Sequence, residues 1–166
     1  MTDSTQLPLL FDDLQVGMRW ELGARTITET DLVSFAMLSG DWNPIHTDET
    51  FASQSHFGRR VVYGLLGLVI TTGLLDRSRL FTGSAVAALG IEWQYKKACF
   101  IGDTVSAEMT VVGLRETKSG NQGVVERRFE VRNQNGDLVA EGRLDSMVLT
   151  SAGRRKQLRP PSGGRA

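Results

Sequence analysis

Gly64-Leu65-Leu66-Gly67-Leu68-Val69-Ile70-Thr71-Thr72-Gly73-Leu74-Leu75 is the stretch on which the fold turns. Its leucines, Val69 and Ile70 surround a helix on every side, with only Gly and Thr between them. A helix that is apolar all round belongs in a core or a membrane. About a dozen residues fall well short of the roughly 20 that span a bilayer, so the reading is a buried helix. Gly67 and Gly73 each cost roughly 1 kcal/mol relative to Ala in such a helix. Close approach of its backbone to a sheet or a partner subunit is the expected compensation.

Downstream of Asp76-Arg77-Ser78-Arg79 the pattern changes period. Residues 85–95, 104–114, 123–132 and 138–149 carry apolar side chains at alternating positions, the signature of strands. Gly120-Asn121 and Asn135-Gly136-Asp137 supply hairpin turns, the second being the stronger signal. Successive strands after one buried helix imply a curved antiparallel sheet packed on that helix, an α+β fold.

Upstream, residues 14–28 read as a strand or extended segment. Thr28 with Asp31 three positions on is a capping box that opens a short amphipathic helix through Leu32, Phe35, Ala36 and Leu38, ending at Gly40. A second short helix fits residues 48–53, with Phe51 and Ala52 facing inward. Between them stands Gly40-Asp41-Trp42-Asn43-Pro44-Ile45-His46. Asn43-Pro44 is a turn signal, and such a turn folds Asp41 and His46 toward one point. A carboxylate and a neutral imidazole can both take a proton from water. A helix cap and an ordinary loop histidine would use the same residue types.

Wider context favours the chemical reading. Gly40 to Asp48, preceded by Phe35-Ala36-Met37-Leu38-Ser39, resembles the hydratase motif of the MaoC-like dehydratases, the (R)-specific enoyl-CoA hydratases of the hotdog fold. Phe57 to Leu66 is similar to that family's second signature, at the start of its central helix, and Phe100-Ile101-Gly102-Asp103-Thr104-Val105 to the segment that leads into its later strands. The resemblance covers roughly residues 10–150. One departure is Tyr63-Gly64, where the family commonly has His-Gly.

The resemblance implies a hotdog fold and the reversible addition of water to a 2-enoyl-CoA thioester, giving an (R)-3-hydroxyacyl-CoA. Asp41 and His46 are then the catalytic pair, with the division into acid and base left open. The Gly64 N–H would hold the thioester oxygen at the positive end of the helix dipole. Thr72, as the small hydroxyl residue on the helix, and Asn43 would orient substrate and catalytic pair. Arg59, Arg60, Lys96 and Lys97 are candidates for the phosphates of coenzyme A, although adjacent charges are more often a solvated face. A hotdog thioesterase and a non-catalytic acyl-CoA-binding subunit are the alternatives.

Composition bounds the rest. The chain has 166 residues, enough for one domain with a real core. The expected division is a flexible segment 1–10, one domain over 11–150 and a disordered basic, Pro- and Gly-containing tail over 151–166. Nineteen basic and 19 acidic side chains give zero net charge, which argues against a general nucleic-acid or acidic-membrane binder. Cys99 is the single cysteine and fits a reducing cytoplasm; it reads as a passive thiol, and His56 as a surface residue. Residues 1–10 lack a basic region of the signal-peptide kind. No cluster has zinc spacing and no Gly-x-Gly-x-x-Gly follows a strand, so no metal and no cofactor are expected beyond the coenzyme A of the substrate. The exposed edge of a lone curved sheet predicts a homodimer or higher homo-oligomer, pairing near residues 84–93.

Overall fold

The computed structural model describes residues 7–157. A short 3₁₀ turn at Phe11–Asp13 leads into β1 (Arg19–Thr26), α1 (Glu29–Ser39), α2 (Pro44–Thr47), α3 (Glu49–Ser53) and α4 (Gly64–Arg77). Strands β2 (Ala85–Tyr95), β3 (Thr104–Glu116), β4 (Gln122–Arg132) and β5 (Leu138–Leu149) follow, and α5 (Ser151–Gln157) closes the described chain. The strands form one antiparallel sheet in the order β1-β3-β4-β5-β2. This is the sheet-around-helix α+β architecture read from the sequence.

Local chemistry accounts for most boundaries. Thr28 and Asp31 form both halves of the capping box on α1, and Gly40 ends that helix in the left-handed conformation at φ 73°. Gly120 and Gly136 take the positive φ that the two hairpins need. In β5, a Cβ on Gly142 would come within 2.3 Å of the Glu92 carbonyl oxygen and the Trp93 ring, so β2 lies this close only because residue 142 is glycine. The Phe100–Val105 segment is a clasp. Asp103 accepts from Phe100 N–H at 2.8 Å and from Gln134 at 2.9 Å, while the Ile27 N–H donates to the Asp103 carbonyl at 2.8 Å.

Helix α4 packs mainly on β1 and β3. Leu66, Ile70, Thr71 and Leu74 are buried, and each buried aliphatic contributes roughly 1.5–3 kcal/mol. The opposite face is not buried in the single chain: Leu65 is 60% and Val69 55% exposed. The fully buried helix expected from the sequence is therefore corrected to a half-buried one. Among the described residues nothing lies within 4 Å of a Cβ built on Gly67 or Gly73, so neither marks a close approach there. Strand β2 is exposed along nearly its whole length and forms one edge of the sheet.

Other expectations need revision. Phe51 faces outward, because only Ala52 of α3 points at the core. Asn43-Pro44 opens a helical turn, with Asn43 as cap and Pro44 at its first position. The segment 1–10 is not free throughout: Leu9 is in the core and its N–H donates to the Leu80 carbonyl at 2.7 Å. Residues 151–157 of the expected tail are helical, started by the Arg154 N–H donating to the Thr150 carbonyl. Residues 1–6 and the remainder of the tail, 158–166, lie outside the described residues. No helix among the described residues is long and apolar enough to cross a membrane.

Candidate functional site

The loop after α1 is built from side chains that serve their own backbone. The Asp41 carboxylate accepts from the Asn43 N–H at 3.1 Å, and the Asn43 side-chain oxygen accepts from the Ile45 N–H at 3.1 Å. Such Asx turns fix the chain direction without help from a neighbouring strand. They deliver His46 to the segment ahead of α4, where the Ile45 carbonyl accepts from the Val61 N–H at 3.2 Å.

His46 is held by one bond and one stack. Its Nδ1 lies 2.6 Å from the Val61 carbonyl oxygen. A carbonyl can only accept, so Nδ1 carries the proton and Nε2 of the neutral ring keeps its lone pair. The ring stacks on Tyr63 with centroids 3.9 Å apart and planes at 30°. The Tyr63 hydroxyl in turn donates to the Asp41 carbonyl at 2.7 Å. Asp41 and His46 thus make no direct bond; Tyr63 touches both. Burial, with a further push from the Asp41 charge, raises the Tyr63 phenol above its usual range and keeps it a donor.

His46, Tyr63 and Gly64 line one cavity of about 450 Å³, together with Trp93, Tyr95 and Cys99. Its walls are mostly apolar, with core residues such as Val105 and Val131 at its back. The N-terminus of α4 opens onto it, and among the described residues no side chain caps that terminus. Its first N–H groups are therefore available to an acceptor. The space beside Gly64 is partly taken: a Cβ there would meet the Tyr95 ring at 2.7 Å. The buried indole N–H of Trp93 has no partner among the described residues. Burial and Asp103 push the Cys99 thiol up to about 11, so it stays protonated and non-nucleophilic at neutral pH.

The other candidates distribute as follows. Asp41 is exposed and does not line the cavity, and Asn43 has its side-chain oxygen committed to the turn. Thr72 lies farther along α4, away from this cavity, with its hydroxyl donating to the Val69 carbonyl at 2.8 Å. Arg60 is clamped by Glu29 at 2.6 Å and Glu49 at 3.1 Å. Lys96 and Lys97 line the cavity but pair with Glu141 at 2.9 Å and Asp137 at 2.6 Å. Arg59 lies over the Phe100 ring at 3.9 Å and makes no ion pair among the described residues. His56 is exposed and tilted against Phe57. Among the described residues no group of three or more His, Cys, Asp or Glu stands in metal-binding reach. Sequence reading treated Tyr63 only as a departure from a motif; its contact with Asp41, 22 positions earlier, has no periodic signal.

Comparison with known proteins bears on the family and the fold. Residues 14–135 match the family described as MaoC like domain. The (R)-specific enoyl-CoA hydratase of Rhodospirillum rubrum is 33% identical over 142 residues, spanning 83% of this chain and 90% of that protein. The structure of a monoamine oxidase regulatory protein from Archaeoglobus fulgius superposes with a TM-score of 0.82 at 35% identity, covering 87% of this chain and 96% of that one. A Mycobacterium tuberculosis protein described as a double hotdog fold superposes with a TM-score of 0.76 at 19% identity, covering 95% of this chain and 46% of that one. That last likeness bears on the fold alone: a hotdog.

Proposed function

The chain belongs to the MaoC-like domain family, and from the site it carries we propose that it is a hydro-lyase adding water reversibly to a 2-enoyl-CoA thioester. In this reading the water oxygen bonds to the β-carbon and a proton is delivered to the α-carbon. The C=C π bond is lost and an (R)-3-hydroxyacyl-CoA results. The observation that carries the reading is the tethering of His46. Its Nδ1–H is bound to Val61, which reserves the Nε2 lone pair for a proton from water. Asp41 is the second proton-handling group in this reading; Tyr63, stacked on His46, holds the Asp41 main-chain carbonyl, and the Asp41 carboxylate must turn from the Asn43 N–H toward the cavity to act.

Charge that develops on the thioester oxygen would be met by the N–H of Gly64 and the dipole of α4. The apolar walls exclude bulk water and strengthen that interaction. Lys96 and Lys97 sit at this cavity for the phosphates of coenzyme A. Their present ion pairs are half-exposed and weak enough to exchange. Arg59 is the third cation for that role, and the clamp on Arg60 takes it out of the set.

The same reading calls for a homodimer. Strand β2 presents Val86, Leu89 and Ile91 on an open edge, and Leu65 and Val69 of α4 are exposed as well. Edge-to-edge pairing of β2 with its copy would cover that edge. Crotonyl-CoA tests the activity. Loss of enoyl absorbance with (R)-3-hydroxybutyryl-CoA as product supports the hydro-lyase. Release of free thiol identifies a thioesterase instead, and no change in either signal leaves a binding subunit.

A further inference from the structure

A second cavity, of about 330 Å³, lies between the C-terminal half of α4 and the start of β2, walled by Thr72, Leu75, Asp76, Phe81, Ser146 and Arg127. Both this cavity and the His46 cavity border α4, and their linings share no residue. Thr72 is eight positions beyond Gly64 on α4, which places this cavity about 12 Å farther along the helix axis. Arg127 is the unusual member. It is 3% exposed, deep in β4. A guanidinium carries five N–H donors, and the described hydrogen bonds use only Nε, which donates to the Leu144 carbonyl at 3.2 Å.

Its surroundings compensate it only in part. Arg127 makes no ion pair among the described residues; its guanidinium carbon lies 5.2 Å from the Phe81 ring centroid and 5.9 Å from that of Phe129. The nearest charge on β5, Asp145, is held bidentately by Arg143. Burial lowers the Arg127 pKa to about 10, partly offset by Asp145, so the cation persists at neutral pH. Beside it, the buried Ser146 hydroxyl has no partner among the described residues. A buried cation that makes no direct ion pair among the described residues, and an unpaired hydroxyl on the same cavity, are two costly features with a common remedy.

We propose that Arg127 and Ser146 form a receptor for a carboxylate carried on the acyl chain of the substrate, remote from the thioester. The proposal rests on the acyl-CoA reading of the His46 cavity. A planar carboxylate matches the fork of a guanidinium and can accept from Ser146 as well. One cation with Asp76 on the same wall suits a single negative charge better than a phosphate dianion. Apolar Leu75 and Phe81 fit the methylene chain that would lead to it.

The test is binding of saturated acyl-CoAs, which needs no turnover. Adipoyl-, suberoyl- and sebacoyl-CoA are each compared by calorimetry with the monocarboxylic acyl-CoA of equal length. For the length that reaches Arg127, the dicarboxylic member should bind about tenfold tighter or more. Arg127→Met should abolish that preference, and Ser146→Ala, which preserves packing should Arg127→Met fail to fold, should reduce it severalfold. Equal or weaker binding of all three dicarboxylic ligands to the wild type overturns the proposal, as does a preference that survives these substitutions. A protein that discriminates in this way yet leaves crotonyl-CoA untouched would sink the hydro-lyase reading while keeping the anion receptor.

Discussion

His46 gives its Nδ1–H to the carbonyl oxygen of Val61 across 2.6 Å. That single bond orients the ring, fixes its tautomer and leaves Nε2 as the proton acceptor of the cavity. Val61 belongs to the segment that leads into α4, so the base and the N–H groups of the helix terminus are positioned by one run of backbone. Removing the imidazole with His46→Ala should lower hydration of crotonyl-CoA by about 10²–10⁴-fold with a normal unfolding transition. Kinetics and thermal melts on the same preparation check both halves.

Asp41→Asn keeps the side-chain oxygen that accepts from Asn43 and removes the charge. The fold should be unchanged and kcat should fall by at least about 10²-fold. Near wild-type turnover in this variant would remove Asp41 from the catalytic pair.

Tyr63→Phe deletes the bond to the Asp41 carbonyl and keeps the stack on His46. Loss of one buried hydrogen bond should cost about 0.5–1.5 kcal/mol in denaturant unfolding. If the phenol holds Asp41 in place, kcat should drop while KM changes little. A stability loss with unchanged kcat would make Tyr63 purely structural.

How far the sequence reached can be judged at particular residues. The bounds of β2 and β5 follow from alternating apolar positions and from Asn135-Gly136, because those signals are local. The capping box at Thr28 and the stop at Gly40 were legible for the same reason. The exposed face of α4 was not: Leu65 and Leu66 are chemically alike, and only the sheet order decides which one is covered. Phe51 misled in the same way. The Asp41–Tyr63–His46 arrangement depends on contacts across 17 or more positions of chain, from His46 to Tyr63 and from Asp41 to Tyr63, which periodicity does not encode. The pairing of Arg60 with Glu29, 31 residues away, removed one proposed phosphate contact on equally non-local grounds.

Gly64→Val would drive a branched side chain into the Tyr95 ring. Tyr95 is exposed and can move aside, so stability should fall less than turnover does. Combining Gly64→Val with Tyr95→Ala should restore stability and leave activity low, if the crowded point is where the thioester oxygen must sit. Recovery of activity in the double variant would show that Tyr95 displacement was the whole effect.

Ile91→Lys puts a charge on the open face of the β2 edge. Sedimentation equilibrium at micromolar concentration should find a dimer for the wild type and a monomer for the variant. A wild-type monomer would contradict the edge-paired assembly.

The most direct test of the hydro-lyase account is the initial rate of enoyl absorbance loss with crotonyl-CoA, measured side by side for the wild type and His46→Gln. The account predicts rapid loss with (R)-3-hydroxybutyryl-CoA as product in the wild type, and a rate lower by about 10²-fold or more in the variant. Equal rates in the two proteins, or no loss of absorbance in the wild type, would contradict it.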